Sequence, residues 1–370
     1  VYIHAPWCLS RCAYCAFNVY TSAPAWAAWA AGLREGLARS APHFPGRAHQ
    51  LYFGGGTPSL APPELVGELI RAVDPLPGAE VSLEANPGTV DARRVDALVQ
   101  AGVNRLSLGV QTFHPAHARR LQRRHSPDEA RALLGAVARA GLRSWSFDLI
   151  FALPDQTLDE LRFDLDQLLA CDPPHVSLYA LSFEPGTPFT RALERGQLQA
   201  LDEDAQADQL ELITATLQAA GYERYEVSNF AKPGHRGRHN ESTWRGNPYM
   251  GLGPGAHGFR PDGARTVGAA AFEAWLQAPE GALSWPDPEQ AALDLMLCTL
   301  RHIDGLPLAA LAARGFRLDP AAVAPLVGGG WLREAEGHLR LTDAGAPLVD
   351  ALLRRLRDGL RPLATVAGRA

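Results

Sequence analysis

Over its first half the chain alternates short β-branched and aromatic runs with helical patterns, and this alternation most narrows the folds open to it. The strand candidates are Val1–His4, Gln50–Phe53, Glu80–Leu83, Arg105–Leu108, Ser144–Ile150 and His175–Leu181. Between them lie helical patterns at Pro24–Arg39, Pro63–Val73, Ala92–Ala101, Pro127–Ala140 and Leu158–Leu169. Pro24 suits the first turn of its helix, where a missing N–H costs nothing. Alternation at this spacing gives βαβ units and a parallel sheet. Six units are too few for a closed eightfold barrel, which leaves a curved, partly open (β/α)6 barrel or a doubly wound sheet.

Polar residues cluster just past the strand ends: Gly54-Gly55-Gly56-Thr57, then Glu84-Ala85-Asn86, then Gly109-Val110-Gln111. Asp148 lies towards the end of its strand and Tyr179 in the corresponding region of the sixth. Parallel α/β folds place ligand sites at the carboxyl ends of their strands, where the loops converge. Taken singly, each group has a plainer meaning. The glycines read as a tight turn, Glu-x-Asn-Pro-Gly as a turn with a helix cap, and Asp148 as a buried partner for a helix terminus or an arginine. Their recurrence at one mouth favours a site.

Three thiols open at the same mouth, in Cys8-Leu9-Ser10-Arg11-Cys12-Ala13-Tyr14-Cys15, directly after the first strand. Thiolates are soft ligands for iron or zinc. A structural zinc site wants four closed ligands, and Cys171 and Cys298 stand alone, far along the chain. Three ligands on one loop would leave a [4Fe–4S] cubane with one iron open to a small molecule. The other readings are a zinc knuckle completed by His4 or another distant group, or a disulfide with a spare thiol.

Tyr-x-His-x-Pro-Trp-Cys-x-x-x-Cys-x-x-Cys-x-Phe resembles the opening of a radical S-adenosylmethionine (SAM) protein, in the HemN/HemW (oxygen-independent coproporphyrinogen III oxidase-like) family. The resemblance implies a [4Fe–4S] cluster on Cys8, Cys12 and Cys15, whose fourth iron takes SAM, together with an electron donor for the cluster. It also implies that Gly55, Gly56, Thr57, Glu84, Gln111, Arg123 and Asp148 contact SAM and that Tyr2 lines the same pocket. Family members commonly carry Tyr-Gly-Leu-Pro-Gly where this chain has Phe151-Ala152-Leu153-Pro154-Asp155. The expected fold is therefore α/β: a partial (β/α)6 TIM-like radical SAM barrel with a smaller C-terminal, winged-helix-like domain.

After residues 1–220, the core, a segment over 221–283 is rich in Gly and His, and Gly251–Gly258 holds too much Gly and Pro for a helix. Within it His239-Asn240-Glu241-Ser242-Thr243-Trp244 resembles the His-Asn-x-x-Tyr-Trp segment that the HemW branch is associated with using for haem. His239 is thus a candidate axial ligand and Trp244 a flat face for a macrocycle, although Thr243 replaces Tyr and a histidine in a loop is often a capping residue. Residues 284–370 read as a C-terminal domain. Its helical patterns at Glu289–Arg301, Leu306–Arg314 and Ala321–Val327 precede a hairpin over Trp331–Leu341 and a last helix at Asp343–Leu356. A winged-helix module often sits on DNA, but without a basic recognition helix this one is not expected to.

Composition limits the partners. A net charge of −5 supplies no overall basic field for nucleic acid or anionic lipid. The arginine groups Arg119-Arg120 with Arg123-Arg124, and Arg354-Arg355 with Arg357, read as solvated helix faces. No apolar run is long enough to cross a bilayer, and five cysteines without a secretory signal point to a reducing cytoplasm. The first residue is Val, so native residues upstream are expected. Two functions compete: a HemW-type chaperone that delivers haem to recipient haemoproteins, and an oxygen-independent coproporphyrinogen III dehydrogenase of porphyrin biosynthesis. Phe17 stands where the enzyme branch carries a fourth Cys, which favours the chaperone.

Overall fold

The computed structural model describes residues 1–363. Six parallel strands run in chain order: β1 (Tyr2–Ala5), β2 (Gln50–Gly55), β3 (Glu80–Ala85), β4 (Arg105–Gln111), β5 (Ser144–Phe151) and β6 (His175–Ala180). Between them lie α1 (Trp26–Ser40), α2 (Pro63–Val73), α3 (Ala92–Ala101), the short α4 (Pro115–Arg120), α5 (Pro127–Arg139) and α6 (Leu158–Cys171). A doubly wound sheet reverses its strand order at a switch point. Here β1 to β6 are neighbours in strict succession without reversal. That is barrel order, and it decides between the two architectures.

Two further strands lengthen the sheet. Asn229–Ala231 pairs antiparallel with β6, and Gly251–Leu252 pairs parallel with β1. The apolar core between strands and helices includes Ile3, Trp29, Leu51, Phe53, Leu83, Leu106, Phe147 and Val176, all essentially without exposure. The opposite strand faces are polar: Ser82, Arg105, Ser146, His175 and Ser177 are buried, and Arg105 sits 3.7 Å from the Glu80 carboxylate. A barrel interior lined this way is built for a polar occupant, since buried polar groups cost free energy unless paired.

Local chemistry explains the elements. Ser126 and Thr157 each form a capping box, with Glu129 and Glu160, at the starts of α5 and α6. Asp91 caps α3 by accepting from Arg94 N. Pro24, in contrast, lies outside α1, whose N-cap is Ala25, so its fixed φ shapes the approach and not the first turn.

The chain separates into two compact units. The first holds Val1–Glu223, Ser228–His239 and Tyr249–Ser284; the second holds Arg224–Val227, Asn240–Pro248 and the chain from Trp285 on. The second unit has its own core, with Leu295, Met296, Leu326, Leu339 and Leu356 buried together. Its helices are Pro288–Leu300, Leu308–Ala313, Pro320–Gly328 and Val349–Asp358. The expected hairpin forms from Leu332–Ala335 and His338–Leu341, turning at Glu336 and Gly337, both with positive φ as a two-residue hairpin turn requires. A third short strand, Leu306–Pro307, joins its edge, so the wing has three strands and not two.

Candidate functional site

The cysteine loop runs from the end of β1 towards α1 and is pinned at several points. Cys8 N donates to Tyr20 O over 2.9 Å and Cys15 N to Cys12 O over 3.2 Å. Cys8, Cys12 and Cys15 are half-buried thiols, none of them in a disulfide. Burial pushes the Cys8 and Cys15 thiols up, while a Thr57 hydroxyl on Cys8 and the Arg123 charge oppose it. A buried thiol cluster of this kind becomes thiolate when a metal takes the protons' place.

Two of the sulfurs belong to one hydrogen-bonded circuit. Thr57 Oγ1 donates to Cys8 Sγ over 3.3 Å, and Asn86 Nδ2 donates to Thr57 Oγ1 over 3.0 Å. Arg123 Nη2 donates to Asn86 Oδ1 over 2.6 Å, and its Nη1 donates to Cys12 Sγ over 3.4 Å. The same Nη2 also donates to Gly109 O. Residues from the loop after β1, the end of β2, the end of β3 and the turn after α4 thus converge on the sulfurs. Arg123 is therefore no member of a solvated helix face, whereas Arg124 is exposed.

Asn86 is the residue that motif reading undervalues. Asn86-Pro87-Gly88-Thr89 does form the expected turn: Thr89 N donates to Asn86 O over 3.0 Å and Gly88 has a φ of 82°. Its side chain serves the cysteine circuit as well. The one sequence signal is its position, two residues past Glu84.

The glycines have a packing reason of their own. A Cβ on Gly55 would collide with the His4 ring, and one on Gly56 would lie 2.8 Å from the backbone of Pro6 and Trp7. Gly54 and Gly55 belong to β2 itself, so this is strand backbone pressed against the cysteine-bearing chain, not a free turn. Gly55 N, in turn, donates to Glu84 Oε2 over 3.0 Å.

Glu84 also accepts from Tyr52 OH over 2.8 Å, and burial raises its carboxyl to about 7, helped by the charge of Asp148. Asp148 is raised by burial too, and it accepts from Ser107 Oγ at 2.9 and 3.0 Å and from Ser146 Oγ at 3.3 Å. The two acids face a common interior. Gln111 stands at a bulge between β4 and β5 with a φ of 74°, a left-handed conformation that costs a non-glycine residue free energy.

Tyr2 OH bonds His4 Nδ1 over 2.9 Å, and His4 Nε2 bonds the Asn18 carbonyl over 2.9 Å. Since a carbonyl only accepts, the proton is on Nε2, and Tyr2 donates to Nδ1. Both ring nitrogens are engaged, which removes His4 as a fourth metal ligand. The three unlinked thiols remove the disulfide reading. Three thiols with hydrogen-bond donors aimed at two of them fit a cluster held on three corners.

His239 is expected in a loop but lies on a short helix, Arg238–Trp244. Its ring stacks on Tyr52 at 4.5 Å and on Tyr2 at 5.9 Å, with Tyr249 edge-on at 6.2 Å. Burial lowers its pKa to about 3, so the imidazole is neutral. Trp244, in the second unit, has the Arg301 guanidinium 5.9 Å over its ring. Phe17 is 62 % exposed, on the loop just past Cys15.

Among the described residues no helix is long and apolar enough to cross a membrane. Residues 2–168 match the family model described as the Radical SAM superfamily. The chain is 36% identical to the Heme chaperone HemW of Mycobacterium tuberculosis, over 96% of this chain and 94% of that one. It is 41% identical to the Heme chaperone HemW of Escherichia coli over 71% of each. The solved coproporphyrinogen III oxidase (HemN) from Escherichia coli, a radical SAM enzyme, superposes with a TM-score of 0.79 at 21% identity, covering 96% of this chain and 89% of its own, which establishes a shared fold. With such similarity along nearly the whole of both chains, the protein belongs to the HemN/HemW family of radical SAM proteins, in its HemW branch.

Proposed function

We propose that the protein is a haem chaperone of the HemW type, which holds a [4Fe–4S] cluster and SAM and passes haem to recipient haemoproteins. The observation that carries this reading is Phe17. Where the dehydrogenase branch resembles Cys-x-x-x-Cys-x-x-Cys-x-Cys, this chain exposes a phenyl ring and offers no fourth thiol on the loop. Similarity to curated Heme chaperone HemW proteins over nearly the full chain supports it.

In this reading Cys8, Cys12 and Cys15 hold three corners of the cluster. Bound together, the cluster and SAM supply one-electron cleavage chemistry at a sulfonium. The chain's own part is positioning. Thr57 and Arg123 fix two sulfurs, Glu84 and Asp148 present carboxylates that pair with the cationic parts of SAM, and Gln111 is held at the mouth by its bulge. Tyr2 closes one wall. The cluster's electron comes from a separate donor, and cysteines kept as thiols suit a reducing cytoplasm.

His239 is the haem residue in this proposal. Its support is chemical: the imidazole is kept in the free-base form that iron requires. The test is two assays on one anaerobically reconstituted sample. Haem titration of wild type and His239→Ala is expected to show weaker binding in the variant, and incubation with coproporphyrinogen III is expected to yield no product. Turnover to protoporphyrinogen IX would overturn the chaperone assignment, and unchanged haem affinity would remove His239 from the site.

A further inference from the structure

A second group of metal-ligating side chains lies outside the cysteine site. His114 occupies the position just before α4, His117 follows one turn later, and Glu160 sits in the first turn of α6. One ligand atom from each falls within 4.8 Å of the others. His114 Nε2 is 3.7 Å from Glu160 Oε1, and His117 Nε2 is 3.3 Å from Glu160 Oε2. Zinc–nitrogen and zinc–oxygen bonds of 2.0–2.2 Å in a tetrahedron give ligand–ligand edges of about 3.4 Å, so each histidine stands about one such edge from the Glu160 carboxylate.

Two further observations point to a ligand. His117 is 5 % exposed, and its buried Nε2 makes no well-aligned hydrogen bond although it lies 3.3 Å from Glu160 Oε2. An imidazole nitrogen buried without a well-aligned hydrogen bond costs free energy that a cation would recover. The group is also held rigidly. Asp164, one turn beyond Glu160, accepts from Thr112 Oγ1 and Phe113 N, both over 2.7 Å, which locks the chain leading into His114 onto α6. Glu160 itself is fixed by Thr157 N at 2.9 Å.

We propose that His114, His117 and Glu160 form a second metal site, for a borderline divalent cation of the zinc class. Two imidazoles and one carboxylate suit zinc, cobalt or nickel, whereas calcium and magnesium take shells of oxygen. The half-buried side of His114 leaves the fourth position to water. A cation there would fasten the N-terminal end of α4 to α6. The other end of α4 supports the cysteine loop, where Ala13 N donates to Leu121 O over 3.4 Å.

The test uses the cluster-loaded protein, kept anaerobic so that the three cysteines are occupied by iron. Equilibrium dialysis against micromolar Zn²⁺ followed by elemental analysis should find one zinc per chain with iron and sulfide unchanged. His114→Ala and His117→Ala should each weaken zinc binding by roughly a hundredfold. Glu160→Gln keeps an oxygen for Thr157 N, so α6 stays capped, and it should weaken binding by roughly tenfold. Circular dichroism and iron content check that each variant is folded. Co²⁺ in place of Zn²⁺ should give tetrahedral visible bands without thiolate charge transfer. No zinc on the wild type, equal zinc on wild type and the double histidine variant, or cobalt bands with thiolate character would each overturn the site.

Discussion

Arg123 and Cys12 are 111 residues apart in the chain, yet the arginine donates from Nη1 to the cysteine's sulfur over 3.4 Å. The same guanidinium holds Asn86, which holds Thr57, which holds Cys8. The circuit puts one positive charge beside sulfurs that carry a cluster in the proposed function, and charge and hydrogen bonding at sulfur set cluster potential. Arg123→Lys keeps the charge but not the fork that reaches both Cys12 and Asn86. The variant should assemble a cluster that loses iron faster in air, and SAM affinity should fall by roughly tenfold, the scale of one charge-assisted hydrogen bond. Arg123→Gln should in addition shift the cluster potential to more negative values. Iron and sulfide analysis, SAM titration and redox titration read these outcomes.

Gly55 carries a sharper expectation. Its φ is 108°, and a Cβ would enter the space of the His4 ring, whose two nitrogens are both hydrogen-bonded. The ring has nowhere to retreat without breaking one of them. Gly55→Ala should cost about 2–3 kcal/mol from strain and lost hydrogen bonding together. Urea unfolding of the variant would show a lower midpoint at an unchanged slope. Gly46 has a φ of 87° but nothing near its missing Cβ, so Gly46→Ala should cost only the conformational part, about 1–2 kcal/mol.

The six strand starts are legible because β-branched and aromatic runs announce a buried strand. Their ends are not: β2, β3 and β4 each run two or three residues further than the apolar pattern, through Gly55, Ala85 and Gln111. Those residues keep the parallel ladder, as Ala5 against Gly55 and Glu84 against Ser107 show, while their composition is that of a loop. Function has replaced apolar side chains there without ending the strand. The cysteines and the two acids are visible as chemistry, Asn86 only as a turn. The helix α4 is invisible, being six residues long behind a proline. His239 reads as loop because its neighbours are polar, and nothing local reveals the three tyrosines that gather round it.

Residues 151–155 depart from the family's sequence, and the backbone shows what the departure costs. Where family members commonly carry glycine, Ala152 has a φ of 57° and Asp155 a φ of 59°. Left-handed backbone is open to glycine and costs other residues about 1–2 kcal/mol. Ala152 is buried, so Ala152→Gly gives back about 0.8 kcal/mol of methyl burial and should leave stability within about 1 kcal/mol of wild type. Ala152→Val adds a branched Cβ to the same conformation and should lose more than about 2 kcal/mol. Asp155 is exposed, so Asp155→Gly loses its 3.1 Å ion pair with Arg120, worth little at the surface, and should be neutral or stabilising. Thermal melts should place Asp155→Gly and Ala152→Gly above Ala152→Val.

Glu84 makes the first unit's stability depend on pH in a definite direction. Burial raises its carboxyl from 4.5 to about 7, so between those values the folded chain holds a proton that the unfolded chain has released. Where the native state binds more protons, stability falls as pH rises. The contribution is fully present below about pH 4.5 and is lost as pH rises through about 7. Asp148 is raised as well and slopes the same way. Glu84→Gln can keep its oxygen for Gly55 N and turn its NH2 to the Tyr52 oxygen, which can accept, and it cannot ionise, so it should flatten this part of the profile and be more stable than wild type at about pH 8. A cation placed against Glu84 reverses the balance by favouring the carboxylate. SAM binding near neutral pH should therefore release a proton in the wild type, read by calorimetry in buffers of different ionisation enthalpy, and release less of one in Glu84→Gln. Equal proton release in both proteins would separate Glu84 from the SAM site.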